Sequence, residues 1–252
     1  MSRNKGLDEP EIVDNLLFTS NFHNKPYPFI SPTKPENSAA GKNVIVTGGG
    51  TGIGKAIAIS FAQAGAKSVS ILGRRESKLQ DVVRAISKAG GTKVTSRVAD
   101  LTDMAQTVQA VSSISSEVGP IDIFVSNAAS LGPIRTVTHY DANDILDVIR
   151  SNVISTLHAA QAFLSVAAMQ SPVFINISAA LAHERPLPMF GVGGYSMSKL
   201  AGLKLLDYFG AENPLVRIIH VQPGIVQTEM SQSDIDRDDR ESVINLVQYV
   251  MY

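Results

Sequence analysis

The stretch Y-S-M-S-K at residues 195–199 sets a phenol and an ammonium four residues apart. In a helix that spacing brings both side chains to one face. A tyrosine with the ordinary pKa of about 10 is a poor acid–base group near neutrality. A lysine cation beside it stabilises phenolate and lowers that pKa, so the pair could pass a proton to or from a carbonyl oxygen. Alone, the same spacing occurs often by chance, and a solvated surface pair is the better account of it. The chemistry therefore depends on what else the chain brings to them.

A second group of residues suits phosphate. The run T-G-G-G-T-G-I-G (47–54) follows an apolar stretch, N-V-I-V-T (43–47), and opens a helical one. Glycines let the backbone turn tightly and approach a pyrophosphate, and a helix N-terminus offers free N–H groups and positive dipole. The spacing is T-G-x-x-x-G-x-G rather than G-x-G-x-x-G, and an ordinary glycine turn is the competing explanation. About 20 residues later comes I-L-G-R-R-E (71–76). A carboxylate at the end of that strand would accept hydrogen bonds from a ribose 2′-OH; Gly73 stands there instead. Arg74 and Arg75 follow, and guanidinium groups pair well with a 2′-phosphate, which favours NADP(H) over NAD(H). Two solvated arginines opening a helix would look the same.

The elements that must position these groups alternate strictly. Strands are expected at 43–47, 68–72, 93–99, 121–126, 173–177 and 216–221, and helices over about 52–64, 76–89, 103–118, 142–169 and 194–209. In the second helix Leu79, Val82, Val83 and Ile86 recur at helical spacing, and Gly90-Gly91 ends it. Such alternation predicts a single α/β domain, a doubly wound, Rossmann-like parallel sheet with helices on both faces. It occupies residues 41–252, behind an irregular, proline-rich arm at 1–40.

Composition excludes several functions. Lys plus Arg is 22 and Asp plus Glu is 23, a net charge of -1, so nothing pulls the chain onto nucleic acid or anionic lipid. No cysteine is present, which removes disulfides, thiolate nucleophiles and Cys-ligated zinc and leans towards a reducing, cytoplasmic setting. The first residues hold no apolar run long enough for a signal peptide or membrane span. The five histidines (23, 139, 158, 183 and 220) are scattered without metal-ligand spacing, so no metal is expected.

Taken together and in this order, the motifs resemble the short-chain dehydrogenase/reductase family over about residues 41–230. The residues that carry the resemblance are T-G-x-x-x-G-x-G at 47–54, Asp100 after the third strand, N-A-A at 127–129, Asn152, Y-x-x-x-K at 195–199 and P-G-x-x-x-T at 223–228. The segment Y-P-F-I-S-P-T-K-P-E (27–36) is similar to members found in fungal secondary metabolism. The resemblance implies an oxidoreductase that binds NADP(H). Gly48, Thr51, Gly52, Ile53 and Gly54 would hold the pyrophosphate, and Arg74 and Arg75 the 2′-phosphate. Asp100 and Leu101 would touch the adenine, and Asn127 and Ala128 the adenine ribose. Ala129 replaces the glycine usual there. Pro223, Gly224, Val226 and Thr228 would fix the carboxamide. Tyr195 would be the general acid/base, Lys199 would bind the nicotinamide ribose and bias Tyr195, and Asn152, inside a long helix, would hold a water relaying protons to Lys199.

Two departures qualify that picture. The family's serine, which stabilises charge on the substrate oxygen, commonly stands second in a pair such as N-I-S-S; this chain reads N-I-S-A, with Ser178 in the first slot and Ala179 in the second. Neighbours on a strand face opposite ways, so Ser178 serves only if the strand end twists; otherwise the usual donor is absent. His183 is another donor that nothing in the sequence places. Only residues 229–252 follow the P-G-x-x-x-T motif, so the usual seventh strand is expected to be missing. That puts the family's tetramer in doubt and leaves the helices at 142–169 and 194–209 to pair as a homodimer. The substrate expected is a small to medium hydrophobic carbonyl or secondary alcohol. A cofactor-binding protein without redox turnover is the alternative.

Overall fold

The strand β1 (Asn43–Thr47) is buried at all five positions because helices cover both faces of the sheet. Beside it run β2 (Ser68–Gly73), β3 (Lys93–Val98), β4 (Ile123–Ser126), β5 (Val173–Ile177) and β6 (Arg217–Val221). All pairings are parallel, in the order β3-β2-β1-β4-β5-β6. The expected α/β doubly wound sheet is what forms. Its order reverses between β1 and β4, and ligands of such sheets sit in the crevice outside the carboxyl ends at that point.

The helices are α1 (Gly52–Gln63), α2 (Glu76–Ala89), α3 (Met104–Val118), α4 (Ala142–Ile149), α5 (Ser155–Leu164) and α6 (Gly193–Glu212). The computed structural model describes residues 27–183, 191–224, 226 and 228–230. The chain divides into two units, and of the smaller only residues 27–31 are described. There Pro28–Ile30 form a 3-10 turn and the Tyr27 and Phe29 rings stack at 6.5 Å. The larger unit spans residues 32–234 and carries the sheet. No described helix is long and apolar enough to cross a membrane.

Side chains alternate across the sheet as the pleat requires. Ile45 joins Leu72, Phe124, Phe163, Phe174 and Leu206 in one apolar cluster, while Val44 and Val46 join Val69, Ile71, Leu79 and Val82 in the other. Phe124, Phe163 and Phe174 lie ring to ring, 5.3–5.8 Å apart. Burying each such ring stabilises the fold by about 1.5–3 kcal/mol.

The helix expected over 142–169 is not continuous. A capping box between Asp141 and Asp144 starts α4, and a π-helical turn at Arg150–Ile154 separates it from α5. Hydroxyls bond carbonyls in this region: Ser155 Oγ donates to Ser151 O at 2.6 Å and Thr156 Oγ1 to Asn152 O at 2.8 Å. The helix ends at Leu164 because the next residues pair with Ile121, which donates to Val166 O and accepts from Ala168 N. That bridge also delays β4 to Ile123. Residues 1–26 of the expected arm and residues 231–252, on which the missing seventh strand was argued, lie outside the described residues.

Candidate active site

The glycine turn is knitted to the end of β4 by Thr47. Its hydroxyl donates to Val125 O and accepts from the backbone N–H of Asn127 (2.9 Å) and Ala128 (3.0 Å). Asn127 Nδ2 returns a bond to Thr47 O at 3.0 Å. The turn has no room for side chains. A Cβ on Gly48, whose φ is 64°, would sit 2.8 Å from Asn127 Nδ2, and one on Gly54 would run into the Gly48 carbonyl. Thr51 is extended and gives no side-chain cap to α1. The first N–H groups of α1 therefore take no bond from the Thr51 side chain, an arrangement that suits a pyrophosphate. Thr228 closes one side, 3.1 Å from where a Cβ on Gly52 would lie. Pro223 and Val226, with Gly52, Ile53, Ile57 and Phe61, line a cavity of about 530 Å³ along α1. Neither Tyr195 nor Lys199 lines it.

Beyond β2 the two arginines part. Arg75 donates to Glu229 Oε2 at 2.8 Å and to Thr51 Oγ1 at 3.3 Å. Lys78 donates to Glu229 Oε1 at 3.1 Å. Arg74 is exposed and outside this cluster. The two cations, Arg75 first, hold the Glu229 carboxyl below the usual carboxylate range. Asp100 follows β3 beside the end of β2, where Ala99 N donates to Gly73 O. Its carboxylate accepts from the N–H and hydroxyl of Thr102, while Leu101 is buried and its carbonyl meets His158 Nδ1.

The other half of the site stands on α6. Tyr140 Oη meets Gly191 O at 2.8 Å and accepts from Gly194 N at 3.3 Å, which anchors the segment leading into Tyr195. Lys199 Nζ donates to Ile177 O at 2.8 Å, the last carbonyl of β5, and lies 5.7 Å from the centre of the Tyr195 ring. Ser198, fully buried, donates to Tyr195 O and accepts from Asn152 Nδ2 at 2.9 Å. Asn152 also donates to Ser130 O and accepts from Ser130 N, both at 2.8 Å. Asn152 thus sits on the π turn rather than in an unbroken helix. Its amide joins the loop after β4 to α6.

Burial sets the two pKa values. It pushes the Tyr195 phenol up to about 12 and the Lys199 ammonium down to about 8. The pairing with Lys199 was expected to lower the Tyr195 phenol; burial raises it instead. Removal from water penalises both charged forms, the phenolate and the ammonium.

Ser178 is buried, its N–H donating to Val221 O, and its Oγ has no hydrogen-bond partner among the described residues. Ala179 is extended (φ −148°, ψ 149°), so the pleat continues and residues 178 and 179 face opposite ways. His183 is exposed. Thr47, Ser130, Tyr140, Ser198 and Glu229 carried no expectation from the sequence. Thr47 and Ser198 had a signal, the one opening the T-G-x-x-x-G-x-G motif and the other enclosed by Y-S-M-S-K.

A family profile described as short chain dehydrogenase matches residues 42–239. A short chain dehydrogenase of Pseudocercospora fijiensis is 33% identical over 217 residues, 82% of this chain and 67% of its own length. The short chain dehydrogenase/reductase AacuD of Aspergillus aculeatus is 29% identical over 216 residues, 83% of this chain and 72% of its own. Among solved structures, a short chain dehydrogenase from Burkholderia cenocepacia in complex with NADP superposes with a TM-score of 0.72 at 27% identity, covering 82% of each chain.

Proposed function

Because the chain belongs to the short chain dehydrogenase family, we propose that it is an NADP(H)-dependent oxidoreductase acting on a small to medium hydrophobic carbonyl or secondary alcohol, with Tyr195 as general acid/base. The observation that carries this reading is that Tyr195 and Lys199 share one face of α6, with Lys199 hydrogen-bonded to the carboxyl end of β5. That is the sheet edge where the glycine turn follows β1. A bound NADP(H) supplies or accepts the hydride at nicotinamide C4. Gly48, Thr51, Gly52, Ile53 and Gly54 receive its pyrophosphate, Arg74 and Arg75 its 2′-phosphate, and Asp100, Leu101, Asn127 and Ala128 its adenosine. Pro223, Gly224, Val226 and Thr228 orient its carboxamide.

In the reducing direction Tyr195 gives its proton to the substrate oxygen. A phenol that keeps its proton up to about pH 12 starts in the state this requires. Lys199 binds the nicotinamide ribose, and its cation, once retained, offsets the desolvation of the phenolate that forms. Asn152 positions α6 through Ser198 and presents the π turn for a water that relays protons to Lys199. The resemblance of residues 27–36 to members found in fungal secondary metabolism supports a place there, and both relatives described above are fungal.

One observation favours a second reading, cofactor binding without redox turnover. Ala179 stands where the oxyanion donor is usual, and losing one such donor costs roughly 100- to 1000-fold in rate. Both readings are separated by NADPH oxidation over a panel of carbonyl substrates, with wild type, Tyr195→Phe and Ala179→Ser side by side. Turnover in wild type that vanishes in Tyr195→Phe is expected. Equal rates in those two would remove Tyr195 as the acid. NADPH binding without turnover, with activity gained in Ala179→Ser, would favour the second reading.

A further inference from the structure

We propose that Glu229 is a specificity-determining residue, a carboxylate that occupies Arg75, one of the two arginines offered to a ribose 2′-phosphate, together with the neighbouring Lys78, and so sets the margin by which NADP(H) is preferred. The inference rests on the NADP(H) reading above. It begins with a mismatch at the end of β2. Gly73 leaves the ribose corner without the carboxylate that would mark NAD(H). The structure supplies one from elsewhere, since Glu229, 154 residues beyond Arg75 in sequence, reaches across from the segment after β6. Each of its oxygens takes a different cation, Oε2 from Arg75 at 2.8 Å and Oε1 from Lys78 at 3.1 Å. Arg75 also touches Thr51, which ties this cluster to the glycine turn.

Two cations shared by one carboxylate leave a net positive corner, so a dianionic phosphate is still attracted there. Such a phosphate offers three acceptor oxygens and a fork-shaped match to guanidinium, and it outcompetes a single carboxylate. All three side chains are about half exposed, with 57%, 42% and 49% of Arg75, Lys78 and Glu229 accessible. The clasp is therefore weak enough to be displaced and is screened by salt. Arg75 and Lys78 keep Glu229 ionised well below neutrality, so the competitor is present throughout the working pH range.

The test uses two fragments, 2′,5′-ADP and 5′-AMP, with affinities measured by calorimetry on wild type and Glu229→Gln at low and high salt. The amide keeps the shape and removes the charge. The expected result is a gain of about two- to fivefold for 2′,5′-ADP, no change for 5′-AMP, and a smaller gain at high salt. Equal gains for both fragments would reduce the effect to net charge and overturn the proposal, as would no gain for 2′,5′-ADP. Weaker 5′-AMP binding in Glu229→Gln would also overturn it, because Glu229 would then be holding ribose hydroxyls. The wild-type ratio of the two affinities tests the cofactor reading; the change in that ratio on substitution tests Glu229, so the two fail separately.

Discussion

Lys199 can be interrogated without a substrate, through the pH dependence of folding. Burial lowers its pKa from the ordinary 10.5 to about 8. Between those values the unfolded chain holds a proton that the folded chain has released. Stability therefore rises with pH across that window, by about 1.4 kcal/mol per pH unit at most. Tyr195 acts in the opposite sense higher up. Its pKa rises from 10.0 to about 12, so above pH 10 the unfolded phenol ionises first and stability falls. The window from pH 8 to 10 belongs to Lys199 alone of the pair. Two units give a ceiling of about 3 kcal/mol, reduced by whatever solvent reaches the ammonium. Against a total stability of about 5–15 kcal/mol that is measurable.

The perturbation is Lys199→Met, which keeps the apolar stem and removes the titrating group. It also removes the bond to Ile177 O, but that loss does not vary as Lys199 titrates. Urea unfolding of both proteins at half-unit steps from pH 7 to 10 gives the difference in stability. All other lysines and tyrosines are common to both and cancel. The wild type should gain on the variant steadily above pH 8. A flat difference would show that the ammonium is not desolvated. A falling one would show that an anion holds it charged, and the proposed pairing with a buried phenol would be refuted in either case.

Gly54→Ala should weaken NADPH binding more than tenfold and cost about 1–3 kcal/mol of stability, since the new methyl meets the Gly48 carbonyl and Asn127 Nδ2; fluorescence titration and a thermal melt read the two effects. Asn152→Ala leaves the half-buried N–H and C=O of Ser130 without their partner and takes one of the two bonds of the buried Ser198 hydroxyl, and should cost about 2–3 kcal/mol. That corresponds to a Tm lower by roughly 5–10 °C by calorimetry, and an unchanged melt would remove Asn152 as the tie between α6 and the loop after β4.

The sheet was legible because its signals are local. β1, β2 and β5 are apolar runs, and Gly90-Gly91 and Gly119-Pro120 punctuate the chain at actual element ends. The π turn was not legible, because a periodic apolar stripe does not reveal one widened turn. Its consequence, an Asn152 amide shared with Ser130 and Ser198, joins residues 22 and 46 positions away. The same holds for Thr47, whose hydroxyl reaches residues 80 and 81 positions on. The sign of the Tyr195 shift was missed for a different reason. Sequence spacing reports that a cation is near, but the desolvation that opposes it depends on how deeply α6 is packed, which only the fold determines.

The contrast between positions 178 and 195 bears on what an alanine at position 179 means. The start of α6 is fixed at several independent points. Tyr140 holds Gly191 and Gly194, Ser198 ties Tyr195 O to Asn152, and Lys199 is bonded to Ile177 O. None of these passes through residue 179. The proposed proton donor, Tyr195, is therefore positioned without help from the place where an oxyanion donor would stand. Replacing that donor by alanine removes charge stabilisation yet leaves the phenol and ammonium in register with β5. Ser178 could restore a hydroxyl only by reversing the pleat at an extended Ala179 and leaving its buried site. A slow but Tyr195-dependent reductase is the outcome these constraints favour over a site whose acid has also drifted out of place.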